Sequence, residues 1–444
     1  MIDKILQENN LESLSYNNGI EVFKIIGKEK TDFIFIPKEE KFLFISENIY
    51  ANVLAAEMKG LEGKYNTLYQ KLENIKFYEG INNEQGILSI SRTALIDSLV
   101  KMYSLTKETM YLDNAAFQLR DIYKLLEEKK KDYQGEIRTS WIYELGSTGE
   151  YAYLPFHAGM VALSTLKYAQ LVKDENLDKY NKEAEIFVEK AFDALMSFER
   201  EFDEEYQAYR WNNTLPTNES FSLGCLTSTN EQLVISLAWA YLGDYFNVED
   251  YDDRFYVPLK TFRDGTYDTQ KNNRWCPGIE KREGYYWWYY DPFLPQENRI
   301  DEDGLHFYWI LEACLYDIKR EQKVFNKDDL IFFGASIDQF IVDENQNPPL
   351  INRYMDKVSY EDKYKMFFHG WLRNAYFVDI YNEIPNWSNR SLKVAEYYFH
   401  ELWMELENYG VEDKGRVDSF SSIPYMLNYM VHKMEVINDI SQKI

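Results

Sequence analysis

Between residues 20 and 46 the chain (IEVFKIIGKEKTDFIFIPKEEKFLFIS) sets three short β-branched and aromatic runs between charged, turn-like stretches, which predicts a small hairpin or meander. From about residue 47 the apolar spacing turns helical. Ile49 to Ile75 predicts a long amphipathic helix with a break at Gly60 and Gly63. Beyond it one pattern recurs: a nearly all-round apolar helix, a short polar turn, then a helix with a single apolar stripe. The apolar members begin near Ser91, Leu154, Thr229, Gly304, Phe367 and Ser421, in steps of 63, 75, 75, 63 and 54 residues. Their striped partners run over 109–130, 175–199, 250–263, 327–342 and 387–408. In the second of these, Leu177, Tyr180, Ala184, Phe187, Val188, Ala191 and Leu195 share one face. A helix apolar all round must be buried, and a striped helix covers it from outside.

The last apolar helix, 421–436, has no partner after it, and the helix at 49–75 has none before it. Pairing them closes a ring of six hairpins, so the expected fold is all-α, an (α/α)6 toroid over residues 47–444 behind a small β-containing segment at 1–46. The period is too long for open helical arrays of ~34-residue repeats. Turns from inner to outer helix are short (SLTKETMY, LVKDENLD, IYNEIPNW), whereas the connections into inner helices, 131–153, 200–228, 264–303 and 343–366, are long. Long connections in a compact domain are usually functional. All of them fall on one rim, with the N-termini of the inner helices.

Composition supports the helical reading, since Gly (20) and Pro (11) are scarce in a chain of 444. The balance of 49 Lys+Arg against 74 Asp+Glu, a net −25, argues against nucleic acid or an anionic membrane as partner. The N-terminus lacks the basic start and apolar stretch of a signal peptide, and the longest useful apolar run, Leu233 to Leu242, is too short to span a bilayer. A soluble, cytoplasmic protein is expected. Cys225, Cys276 and Cys314 show neither disulfide nor zinc spacing and read as buried thiols. Aromatic residues, 37 Tyr, 27 Phe and 10 Trp, are abundant; flat rings with polar edges suit sugar faces and wide helix contacts alike.

At the long-loop rim, polar groups stand where inner helices begin: His157 in PFHAG; Asn230, Glu231 and Gln232 in STNEQ; Asp301, Asp303 and His306 in DEDGLHFYW; His369, Arg373 and Asn374 in FFHGWLRN. Helix N-termini favour carboxylates of protein or ligand, and histidine transfers protons near neutral pH. Each such residue also has a plain role, Asn230 and Asp303 as helix caps and the histidines as partners of loop carbonyls. Three of the five histidines at one level is the feature that points to chemistry. The aromatic loop GYYWWYYDPF at 284–293 fits a sugar platform or a lid that holds itself down.

Glycoside hydrolysis needs a spaced carboxyl pair, and Glu144, Glu231, Asp291, Asp301 and Asp303 are available. Proton abstraction beside a carboxylate needs instead a Tyr or His base with Asn, Arg or His to steady the developing charge. His157, His306, His369, Asn230, Arg373 and Tyr308 suit that list better. The net acidity counts against a long polyanionic substrate. Asp250-Tyr251-Asp252-Asp253 fits the D-x-D-D of protonating terpene cyclases, but it falls on an inner-to-outer turn and reads as the acidic start of an outer helix. Trp275-Cys276-Pro277-Gly278 with His369-Gly370 resembles fragments of lanthionine cyclases; Phe368 stands where their zinc-binding Cys would be, so no metal is expected.

The six hairpins, with helix starts such as NEQLVISLAWAYLGD and HAGMVALSTLKYAQLVKD, resemble the six-hairpin carbohydrate enzymes: glycoside hydrolases, unsaturated-uronate hydrolases, polysaccharide lyases, glucuronyl C5-epimerases and N-acylglucosamine 2-epimerases. Gly304-Leu305-His306-Phe307-Tyr308-Trp309 is similar to the Gly-His-x-x-Glu-Trp helix start of the 2-epimerases, with Glu312 a turn later than their Glu, and Arg92 sits where their first inner helix often carries an arginine. The approach from Trp287 to Tyr308 also resembles that of lyase-like toroids. The resemblance implies sugar chemistry without choosing the reaction; glycan cleavage by hydrolysis or β-elimination is the leading expectation, with sugar epimerisation second and a non-catalytic glycan-binding toroid third. His306 or Tyr308 would be the base and His157 or His369 a second acid/base. Glu231 and Asp303 would serve a hydrolysis. Asn230, Gln232, Arg373 and Asn374 would hold substrate, with Trp287, Trp288 and Tyr290 as its platform. A carbohydrate is the expected partner, and no cofactor is.

Overall fold

The computed structural model describes residues 11–17, 20–25, 32–36, 41–45, 47–74, 76–84, 86–127, 129–144, 149–210, 226–271, 273–294, 296–299, 302, 306–345, 349–351, 372, 378, 380, 390–408 and 422–443. Four strands, β1 (Leu11–Asn17), β2 (Ile20–Ile25), β3 (Asp32–Ile36) and β4 (Lys41–Ile45), form an antiparallel meander in chain order. The register sets Val22 opposite Ile34 and Phe33 opposite Phe44. The expected meander is therefore present with one more strand. β1 was missed because its sequence, LESLSYN, holds few β-branched or aromatic residues.

Helix α1 (Glu47–Asn74) runs unbroken through Gly60 and Gly63, where a break was expected. A Cβ added at either glycine would meet nothing, so both lie on an open face. Each costs only ~1 kcal/mol there, and packing elsewhere on the helix outweighs it.

The hairpins follow as read. Inner helix α2 (Thr93–Thr106) is followed by outer α3 (Thr109–Lys124), α4 (Pro155–Asp174) by α5 (Asp178–Met196), α6 (Thr229–Phe246) by α7 (Asp252–Asp264), and α8 (Phe307–Arg320) by α9 (Asp329–Gln339). Outer α10 (Arg390–Asn408) and inner α11 (Ile423–Lys443) follow; most of the inner helix expected from Phe367 lies outside the described residues. Tight polar turns join the pairs. Lys107 after α2 and Asn247 after α6 take left-handed conformations that close the helix ends.

Side-by-side packing runs α11 to α2 to α4 to α6 to α8, while α11 also rests on α1. First and last helices of the array thus meet, and the inner helices form the wall of an (α/α)6 toroid. The reason is in the side chains: α6 buries Thr229 to Ala240 without a gap, whereas α5 buries one stripe led by Tyr180, Phe187 and Leu195. At one point α4 and α6 touch backbone to side chain. A Cβ on Gly159 would lie 2.8 Å from Ile235 Cγ1 and 3.0 Å from its Cα. We expect Gly159→Ala to cost about 1–3 kcal/mol by overpacking; an unchanged urea midpoint would contradict this close approach.

The long connections are more ordered than expected. They fold into short hairpins: β5 (Ile142–Glu144) with β6 (Tyr151–Tyr153), β7 (Phe202–Asp203) with β8 (Ala208–Tyr209), β9 (Thr266–Asp268) with β10 (Arg274–Cys276), β11 (Glu280–Lys281) with β12 (Tyr286–Trp287), and β13 (Ile341–Asp343) with β14 (Leu350–Ile351). Arg210 clamps two of them, pairing with Asp203 at 2.5 Å and with both oxygens of fully buried Asp268 at 3.1 Å. Among the described residues no helix is long and apolar enough to cross a membrane.

Candidate functional site

All five described inner helices, or the turn just before them, contribute to one cleft inside the ring. Its lining includes Thr93 and Asp97 from α2, Met160 and Ser164 from α4, Val234 from α6, Tyr308, Trp309 and Glu312 from α8, and Asn428 from α11. These positions lie in the N-terminal halves of their helices, on the side where the long connections enter.

An ion triad stands at this wall. Lys167 of α4 reaches Asp97 of α2 at 2.6 Å and also bonds Glu312 of α8. Burial pulls the ammonium towards neutrality, but the Asp97 and Glu312 carboxylates outweigh it and hold Lys167 charged, above its ordinary range. Neighbouring Tyr241 is pushed up to about 12, mainly by burial.

Tyr308 lines the cleft, as its proposed role requires, and His306 stands just before α8, half-buried. The His306 ring lies 5.4 Å from that of Trp309 and 5.3 Å from that of Tyr290. The backbone N–H of Thr229 donates to the Tyr290 carbonyl at 3.3 Å, tying this aromatic loop to the start of α6. Asn230 and Glu231 occupy that first turn, both buried. Asn230 Oδ1 accepts from Ser228 Oγ at 2.7 Å and from the Glu231 N–H at 2.8 Å, while its Nδ2 has no hydrogen-bond partner among the described residues. His369, Asp303, Arg373 and Asn374 lie outside the described residues.

Four of the expected site residues are buried. Gln232 is a strut: its Oε1 accepts from the Tyr209 N–H at 3.0 Å, and its Nε2 donates to the Tyr209 carbonyl and to Thr227 Oγ1. Trp288 is core, stacked on Phe307 at 5.1 Å, with its indole N–H donated to Glu302 at 2.9 Å. Trp287 is buried too, its ring 4.5 Å from Tyr289 and covered by the Arg282 guanidinium at 3.8 Å. Both rings turn inward because the β11–β12 hairpin is anchored on α9, where Ser336 Oγ accepts from the Tyr286 N–H and donates to its carbonyl. Of the expected platform only Tyr290 keeps an accessible ring.

His157 is the fourth. It is fully buried between Tyr143 and Phe156, with Nδ1 bonded to Ser89 Oγ. Burial lowers its pKa from the ordinary 6.5 to about 3. Below pH ~6.5 the unfolded chain binds a proton that the folded chain refuses, so stability falls by about 1.4 kcal/mol per pH unit down to the folded pKa. We expect His157→Gln to lose that slope between pH 6.5 and 5. Parallel pH dependences of wild type and variant in urea unfolding would refute a neutral, enclosed imidazole.

Arg92, on a π-helical turn (Leu88–Arg92) before α2, is also structural, bonded to Gln118 at 2.7 Å and paired with Asp121 of α3 at 2.7 Å. Asp250 and Tyr251 lie on the turn from α6 into α7, as expected. Cys276 and Cys314 are buried free thiols, and Cys225 lies outside the described residues. Among the described residues no group of His, Cys, Asp and Glu is placed to hold a metal.

Sequence reasoning missed Asp97, Lys167 and Asn428, and noted Glu312 only for its spacing. The available signal was a charge inside an otherwise apolar helix, since such groups are rarely buried unless paired.

No family model and no curated protein matches the chain. Similar solved structures include a sugar epimerase from a ruminal bacterium, 17% identical with a TM-score of 0.43, covering 74% of this chain and 77% of that one. An α-1,6-mannanase, GH76A of Salegentibacter sp. HEL1_6, is 10% identical with a TM-score of 0.47 over 83% of this chain and 99% of its own. A D-mannose isomerase is 14% identical with a TM-score of 0.46 over 85% and 98%. Likenesses at this level assign no reaction.

Proposed function

We propose that the chain is a carbohydrate-active enzyme that binds a saccharide in the inner-helix cleft and cleaves it. The observation that carries this reading is the meeting, on one wall, of ring faces and ionic groups: Tyr308 and Trp309 line the same cleft as Asp97 and Glu312, with His306 beside the Trp309 ring. Sugar rings offer C–H faces to aromatic rings and hydroxyl edges to carboxylates, so one ligand satisfies both sets. In this reading His306 or Tyr308 takes the proton, Asn230 with Arg373 steadies the developing charge, and Asn374 holds substrate. Glu231 with Asp303 would serve as acid and base if water is the nucleophile, and His369 would be the second acid/base.

One observation favours sugar epimerisation as a second reading. Lys167 pairs with both cleft carboxylates, so Asp97 and Glu312 are engaged with an ammonium from the wall and do not stand as a free acid and base pair. Removal and return of a carbon-bound proton on opposite faces would fall to two histidines, with His306 as one of them. Mass spectrometry of an oligosaccharide panel incubated with the protein in D2O separates the outcomes. Fragments with added water indicate hydrolysis, unsaturated fragments indicate elimination, and a one-deuterium gain in uncleaved sugar indicates epimerisation. Binding without any of these changes would leave a glycan-binding toroid and refute the enzyme.

A further inference from the structure

We propose that the cleft is selective for an uncharged sugar ring and rejects uronates. The inference rests on the reading of the cleft as the saccharide site and names the substrate class of that site.

Two carboxylates, Asp97 and Glu312, face one ammonium, Lys167, so the triad carries one net negative charge. No Arg, Lys or His is among the described residues that line the cleft. Two of its polar atoms stand out as acceptors. Asp97 Oδ1 and Asn428 Oδ1 are buried, and neither has a hydrogen-bond partner among the described residues. Asn428 as a whole is 7% exposed, so this acceptor is not served by bulk water. The neighbouring hydroxyl, Ser164 Oγ, is directed to the Thr93 carbonyl at 3.4 Å.

A ligand that complements this wall must donate hydrogen bonds and carry no negative charge. Ring hydroxyls do both. A hexuronate would bring its carboxylate against Asp97, where like charges repel and two acceptors cannot bond each other. The consequence for mechanism is specific. β-Elimination depends on the carboxylate beside the C–H that is broken, so an uncharged ring removes it and leaves hydrolysis, or proton transfer beside the carbonyl of an open-chain sugar.

The test is ligand-observed NMR titration of the full chain with matched pairs: glucose and glucuronate, galactose and galacturonate, mannose and mannuronate. At least one neutral sugar should bind about tenfold or more tighter than its uronate. Asp97→Asn should narrow that gap by raising uronate affinity, and Asn428→Leu should weaken the neutral sugar severalfold while folding normally. Uronates that bind as tightly as their neutral partners would overturn the inference and leave the saccharide site standing. Failure of both classes would overturn the saccharide site as well. Should Asp97→Asn not fold, unchanged neutral-sugar affinity in Asn428→Leu would by itself overturn the proposed contact.

Discussion

Lys167→Ala is expected to lower the stability of the chain by about 3–5 kcal/mol, the loss typical when one member of a buried ionic group is removed. The three side chains are 14, 13 and 11% exposed for Lys167, Asp97 and Glu312, so water screens them little. Without the ammonium, two carboxylates from α2 and α8 would face each other across α4. Each would then protonate or draw water into the wall. The triad spans three non-consecutive helices, so this penalty falls on the ring itself and not on one hairpin. A control separates charge from packing. Asp97→Leu, Lys167→Met and Glu312→Met together should restore most of the urea midpoint, because an apolar wall of similar volume has no desolvated charge to support. If Lys167→Ala unfolds at the wild-type midpoint, the triad is solvated and its buried reading is wrong.

The toroid was legible because its two kinds of helix obey different rules. The stripe of α5 and the all-round burial of α6 follow from one principle, that every apolar face must be covered. Their starts at Asp178 and Thr229 fall within three residues of those read from the sequence. Local features were harder. Gly60 and Gly63 looked like a break because propensity is local, whereas the open face that makes them harmless is set by which side of α1 meets the ring. The candidate site was half legible. Tyr308 and His306 could be placed beforehand since they sit at a helix start, where the topology alone puts them on the rim. The burial of Trp287 and Trp288 was not legible, because the density of rings in a loop says nothing about which way they point; the anchor on α9, fifty residues further along for Tyr286 and Ser336, decides that. Asp97 and Lys167 went unseen because their pairing is a contact between helices, which periodicity within one helix does not report.

His306→Ala is expected to abolish turnover, by ~10²- to 10⁴-fold in kcat for a proton-transfer residue, without unfolding the chain. Its ring is half-buried at the head of α8 and meets Tyr290 and Trp309 at their edges, so truncation removes ring contacts worth about 0.5–1.5 kcal/mol each and opens no sealed cavity. Tyr308→Phe is the sharper companion, since it deletes one hydroxyl from the cleft and keeps the ring 4.7 Å from Trp309. A base that acts on bound sugar should lower kcat with little change in KM, because the lost interaction forms in the transition state. A rise in KM alone, in either variant, would mark that side chain as a binding group. Full activity in His306→Ala would remove the imidazole from the mechanism and pass the proton to Tyr308, in which case Tyr308→Phe alone must account for the loss.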